Sequence, residues 1–158
     1  MCEVLLLADR SDLVGNLAAA YEREWPGWYG RPGNSAAADL VARLRRDGLP
    51  LGLVVVEAGR AVGACALKTD GGPLEAGDLP WLGALWVDPA RRRRGIARKL
   101  IERALVEAAR LGFATLHAST REAMPLFHAL GWQLCETRDL ADGPLAVFSS
   151  EGPASAGG

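Results

Sequence analysis

Four consecutive arginines, Arg91 to Arg94, stand directly ahead of Gly95, Ile96 and Ala97. This is the strongest chemical signal in the 158-residue chain. An apolar run, Trp81 to Val87, ends at Asp88-Pro89 just before it, and a helical apolar pattern starts at Gly95. A strand, a basic turn and a helix start therefore follow one another. The first N–H groups of a helix lack partners within it, and the macrodipole adds partial positive charge there. Phosphate is the natural ligand of such an end. Gly95 has no Cβ to hold a phosphate away from the backbone, and Ala97 is nearly as small. A solvated basic turn and a nucleic-acid patch are the competing readings. The chain balances 18 basic against 19 acidic residues, a formal net charge of -1. No global field draws it to nucleic acid or to an anionic membrane. No basic stripe accompanies the turn either, so neither nucleic acid nor membrane is an expected partner.

The other reactive residues are few. His117 falls in a short apolar run and His128 in a short helical one. The three cysteines, Cys2, Cys65 and Cys135, form no CxxC pair. A disulfide framework or a zinc site is not expected, and a reducing compartment fits. Cys65 and Cys135 read as buried structural thiols. There is no basic region before the first apolar run and no stretch long enough to cross a bilayer, so a soluble cytoplasmic protein is expected. The segment from Trp25 to Asn34 holds Trp25, Trp28 and Tyr29 among glycines and prolines and reads as an irregular aromatic loop.

The elements that must position these residues follow from periodicity. Val4 to Ala8 reads as a strand. Ser11 is placed to cap a helix to Glu24, with Leu13, Leu17, Ala20 and Tyr21 inward. A second helix is expected from Ser35 to Arg46, with Ala37, Leu40, Val41 and Leu44 inward and Gly48 at its end. Leu51 to Glu57 and Arg60 to Lys68 form a hairpin about Ala58-Gly59. Thr69 to Asp78 is a loop. Trp81 to Val87 is apolar on both faces, as a central strand is, and Gly83 marks a bulge or close approach within it. The helix from Gly95 carries the stripe Ile96, Leu100, Ala104, Ala108 and Leu111. Arg103 and Glu107 pair on it, and Gly112 ends it. A strand to Ala118, a helix from Met124 to Leu130 and two last strands, Gln133 to Thr137 and Leu145 to Ser149, complete the order. This is an α/β (α+β) arrangement in one domain over residues 1–150, with a disordered tail over 151–158.

The spacing Arg92-x-x-Gly95-x-Ala97 resembles the signature Gln/Arg-x-x-Gly-x-Gly/Ala of the GNAT family of N-acetyltransferases. Leu85-Trp86-Val87-Asp88-Pro89 is similar to that family's strand ending. The segment from Ala123 to Trp132 is similar to its fourth-helix segment, which usually closes on Leu-Gly-Phe. Order and spacing agree from about residue 50 to about residue 135. The resemblance implies a mixed, mostly antiparallel sheet of six to seven strands, with about four helices on both faces. It implies transfer of the acetyl group of acetyl-CoA to a primary amine by direct attack. A small-molecule amine or a peptide would be the acceptor, no metal would be needed, and dimers are common in the family.

By the same resemblance, Arg92 belongs to the cofactor site, and backbone amides from about Arg93 through Arg94, Gly95, Ile96 and Ala97 to Arg98 hold the pyrophosphate. Main-chain groups of Leu85 and Val87 pair with the pantetheine arm, and Trp86 between them belongs to the same cofactor site. Trp25, Trp28 and Tyr29 form an acceptor wall. Two departures stand out. The position of the usual tyrosine acid is Phe127, which cannot donate a proton. No glutamate stands early in the fourth strand, where Trp81-Leu82 is found. His117 and His128 are then the candidate acid–base residues, with Glu24, Glu75 and Asp78 as loose alternatives. The silent Phe127 also motivates an alternative, a non-catalytic acyl-CoA-binding or sensing module.

Overall fold

The computed structural model describes residues 3–69, 80–141 and 143–151. Glu75, Asp78, most of the expected Thr69 to Asp78 loop and most of the expected tail lie outside the described residues. Seven strands form one sheet in the order β1-β2-β3-β4-β5-β7-β6. They are β1 (Glu3–Leu6), β2 (Leu51–Glu57), β3 (Arg60–Lys68), β4 (Trp81–Val87), β5 (Thr115–Thr120), β6 (Gln133–Leu140) and β7 (Gly143–Glu151). Every neighbouring pair is antiparallel except β4 and β5, which run parallel. The expected mixed sheet with helices on both faces is therefore present.

Among the described residues the α-helices are α1 (Val14–Glu24), α2 (Pro26–Tyr29), α3 (Ala36–Ala42), α4 (Ile96–Arg110) and α5 (Met124–Ala129). Apart from a small cluster of Trp81, Leu145 and Val147, the buried apolar residues described form two cores, one on each face, because alternate strand residues point to opposite faces. One buries the Ile96, Leu100, Ile101, Ala104 and Ala108 stripe of α4, with Phe127 of α5, on Leu53, Val55, Val62, Leu116, Ala118 and Phe148. The other buries Leu17, Ala20 and Tyr21 of α1 and Leu40 of α3 on Val54, Ala64 and Trp86. The Arg103–Glu107 pair forms at 3.1 Å.

Several sequence expectations need correction. β1 ends at Leu6, and Leu7–Leu13 is a 3-10 segment broken at Arg10. The Ser11 side chain does not cap α1; its backbone carbonyl takes the Val14 N–H instead. The Trp25 to Asn34 loop contains the one-turn helix α2, opened by Pro26 at a first-turn position where no N–H is needed. Ser35 caps α3 through the Ala38 N–H at 3.1 Å, but α3 stops at Ala42 rather than Arg46. The reason lies in β2: the Gly52 N–H takes the Arg43 carbonyl at 3.0 Å and turns the chain toward the sheet. The inner face shifts accordingly, so Ala36 and Leu40 are buried while Ala37 and Val41 are exposed. Gly48 then lies too far along to end this helix. Cys65 is buried as expected, but Cys135 is exposed, because edge strand β6 is exposed over nearly its whole length.

Candidate active site

β4 and β5 touch only at Trp81–His117 and Leu82–Ala118. Beyond Leu82 the two strands part. On its other side, β4 pairs with β3 through Ala66–Gly83 and then Ala64–Trp86, so β4 carries an extra residue between those pairs. The bulge that the sequence suggested at Gly83 is therefore real, but its strained residue is Ala84, with φ 52°. Gly83 serves a close approach instead, because a Cβ there would lie 2.7 Å from the Lys68 Cδ. The Tyr21 hydroxyl, fully buried on α1, donates to the Ala84 carbonyl at 3.0 Å. A bulge bends its strand. Here it leaves Leu85 to Val87 along an open gap rather than along β5.

The gap leads to the arginine turn. Asp88 Oδ1 accepts from the Ala90 N–H at 3.0 Å, and Asp88 Oδ2 pairs with Arg91 at 3.0 Å. Arg92 Nε donates to the Val87 carbonyl at 3.1 Å, and its Nη2 pairs with Glu24 at the end of α1. Arg93 at φ 66° and Gly95 at φ 81° reverse the chain into α4. No side chain caps the start of α4, so its first amides face outward without a protein partner. A groove of about 450 Å³ runs from the gap to this turn. Leu85, Trp86, Val87, Arg92, Arg93, Gly95, Ile96, Ala97 and Arg98 all line it. Arg94 is exposed and does not. Trp25 and Glu24 form one wall, and Glu122, Ala123 and Leu126 form the other.

Residues 16–132 match the acetyltransferase (GNAT) family. The chain belongs to that family. It is an acetyl-CoA-dependent acetyltransferase. No curated protein matches its sequence. Among solved structures it resembles an aminoglycoside 6'-N-acetyltransferase complexed with coenzyme A, at 17% identity, 96% of each chain and TM-score 0.75. The ribosomal-protein-S18-alanine N-acetyltransferase from Escherichia coli shares 19% identity over 96% of this chain and 94% of its own, at TM-score 0.63. A Salmonella typhimurium protein solved with its cofactor acetyl-CoA shares 20% identity over 95% and 93%, at TM-score 0.74. At these identities the likeness is one of fold.

The remaining candidates of this acetyltransferase sort clearly by position. His117 lies on β5 where β4 and β5 still touch, its ring 5.5 Å from that of Trp81. Its Nδ1 is buried without a hydrogen-bond partner, and so is the Trp81 Nε1. His128 is exposed, stands edge-on to Phe148 at 5.1 Å and does not line the groove. Phe127 is 3% exposed, stacked on Phe148 at 5.4 Å and set against Trp132 at 4.9 Å. It forms core beneath the groove, while Ala123 and Leu126 reach the groove itself.

The expected acceptor wall is split. Trp25 lines the groove and packs on Tyr21 at 5.0 Å. The Tyr29 hydroxyl donates to Asp39 at 2.9 Å, and burial with that carboxylate pushes its pKa up to about 12. Trp28 is 51% exposed, with Arg31 over its ring. Cys65 is unfit as a nucleophile, since burial pushes its thiol up to about 12 and thiolate is the reactive form. Among the described residues no group of His, Cys, Asp and Glu could hold a metal ion. No described helix is long and apolar enough to cross a membrane. Sequence reasoning missed Glu122, Ala123 and Leu126 as groove residues. Their signal was available, in the two residues before α5 and its first turn.

Proposed function

We propose that this chain transfers the acetyl group of acetyl-CoA to a primary amine by direct attack on the thioester carbonyl. The observation that carries the reading is the continuity of one groove. It runs from the open edge of β4 at Leu85 to Val87 to the uncapped start of α4 at Gly95. Pantetheine is an extended chain with amide groups, so an unpaired strand edge suits it as an added strand does. The pyrophosphate then meets free amides at Gly95 to Arg98, where the helix dipole favours negative charge. Arg92 and Arg93 add counter-charge at the same end.

The reacting carbonyl falls near the point where β4 and β5 part, beside Trp81 and His117. The amine nitrogen forms the new C–N bond, the C–S bond breaks, and the electron pair leaves on sulfur. An alkyl ammonium has a pKa near about 10.4, so the acceptor must first lose a proton. His117 supports that step, because its buried Nδ1 has no protein partner. The thiolate needs no tyrosine. A thiol of pKa about 8.5 leaves unprotonated at pH 7 at a cost of about 2 kcal/mol, and water can protonate it later. The acceptor approaches from the α1/α3 face, the face that carries His117, Trp81 and Trp86.

The test is acetyl-CoA titration together with thiol release across a panel of primary amines. Binding with amine-dependent release is expected. Absence of binding at millimolar acetyl-CoA, or binding without release on any amine, would overturn it.

A further inference from the structure

A further cavity of about 320 Å³ lies on the α1/α3 face, between α1, the start of β3 and the end of β4. That volume is at the lower end of the range that holds small ligands. Among the described residues, only Glu24 and Trp86 line both this cavity and the cofactor groove. Trp86 is five residues along β4 from Trp81. At about 3.3 Å per strand residue, the two stand roughly 16 Å apart. On the acetyl-transfer reading above, a compact molecule held here does not reach the reacting carbonyl. The cavity is therefore no part of the acceptor's amine pocket.

The charged groups around it differ in what they already hold. Glu24 is paired with Arg92. Asp88 accepts from the Ala90 N–H with one oxygen and holds Arg91 with the other. Both carboxylates of the lining are thus neutralised by arginines that do not line the cavity. Arg23 of α1 and Arg60 of β3 do line it, and neither makes a hydrogen bond or ion pair with any described residue. Glu57, opposite Arg60 in the β2–β3 hairpin, is engaged with Arg91 at 3.4 Å. Asn16 adds a side-chain amide to the same wall. The cavity therefore carries two uncommitted guanidiniums, from two different elements, and no uncommitted carboxylate.

We propose that this cavity is a second ligand site, for a compact dianion that bridges Arg23 and Arg60. Each guanidinium is a fork of donors that matches a carboxylate or a phosphate with two parallel hydrogen bonds. A dicarboxylate or a phosphate group carries the charge that the two cations together match, and a cationic ligand is repelled. Arg23 and Arg60 are exposed, so solvent and salt screen each of them. Affinity then comes from both acting on one ligand rather than from either alone.

The test is isothermal titration of the full chain at saturating coenzyme A and fixed ionic strength. Coenzyme A fills the turn at Gly95, the other place where an anion would settle. The probes are inorganic phosphate, succinate and acetate, each in the millimolar range. Phosphate or succinate should bind at least about tenfold more tightly than acetate, as one further charge-assisted contact provides. Which of the two binds tells a phosphoryl ligand from a dicarboxylate. Arg23→Gln and Arg60→Gln should each weaken that binding about tenfold and leave coenzyme A affinity unchanged. Arg23→Lys keeps the charge and should recover part of the loss. No binding of either dianion, acetate binding as tightly as they do, or dianion binding that vanishes once coenzyme A is bound overturns the proposal. Binding that survives both glutamine substitutions overturns it too. If a glutamine variant fails to fold, the wild-type comparison with acetate and the lysine variant still decide. Failure of coenzyme A to bind sinks the acetyl-transfer reading alone. Arg23 and Arg60 do not line the cofactor groove, so their variants still decide the fate of this cavity.

Discussion

The two faces of the sheet are built on different terms. On the α4 face, an apolar helix stripe meets apolar strand residues, and the start of the helix leaves its backbone amides without a side-chain cap. On the α1/α3 face, side chains with polar atoms are buried beside the same strands, and among the described residues three of those atoms have no hydrogen-bond partner. The first face needs only a conformation to work, because amides are common to all residues. The second needs particular residues, because selectivity for an acceptor depends on which donor or acceptor stands where. On the function proposed above, one face grips the cofactor and the other receives the acceptor.

This contrast can be broken by substitutions that should separate binding from turnover. The largest effect is expected from His117→Ala. It should lower kcat by about a hundredfold, as loss of a general base does, with acetyl-CoA affinity unchanged. A fall in affinity instead would place His117 on the cofactor side. Gly95→Val should do the reverse. A β-branched residue held at φ 81° is strained by about 1–3 kcal/mol, so acetyl-CoA affinity measured by calorimetry should drop about tenfold or more. A Cβ at Gly95 meets no protein atom within 4 Å, so this effect comes from backbone strain and from crowding the ligand.

Smaller effects sharpen the boundary between the faces. Tyr21→Phe removes the hydroxyl that holds the bulge and leaves a buried carbonyl short of one donor. A loss of about 1 kcal/mol is expected, which lowers Tm by about 2–4 °C for a chain of this size. If the bulge sets the cofactor edge, KM for acetyl-CoA rises in the same variant; an unchanged KM would confine Tyr21 to the core. The smallest effect belongs to Glu24→Gln. It frees the half-exposed Arg92 from a surface ion pair worth about 0–1 kcal/mol. Acetyl-CoA should then bind slightly tighter, by up to about fivefold, and weaker binding would show that Glu24 supports the turn.

The two faces also differed in how far the sequence revealed them. The hairpin from Leu51 to Lys68, strand Trp81 to Val87 and helix α4 were legible to the residue or nearly so. Their signals are local: alternation, a tight turn, a long stripe. The conformation of the turn before α4 was legible for the same reason, since the glycine just ahead of the apolar stripe takes the positive φ that leads into the helix. The α1/α3 face was read poorly. Ser11 looked like a cap, but a broken 3-10 segment intervened. α3 looked longer than it is because the Gly52 amide that stops it comes from another element. Phe127, at the position that the resemblance gives to the usual tyrosine acid, has its ring in the core rather than in the groove lining.

The narrow join between β4 and β5 has a consequence for exchange kinetics. Two residue pairs link a block of β1 to β4 with a block of β5 to β7, helped by the helix core beneath. Amide protons facing the gap, from Leu85 to Val87, have no neighbouring strand to shield them. In the free enzyme they should trade with deuterium far faster than those of β2 and β3. A cofactor laid along that edge would act as a missing eighth strand and slow them selectively. Deuterium uptake along β4 would then trace the arm of the ligand residue by residue, and the protein would be a complete sheet only while loaded.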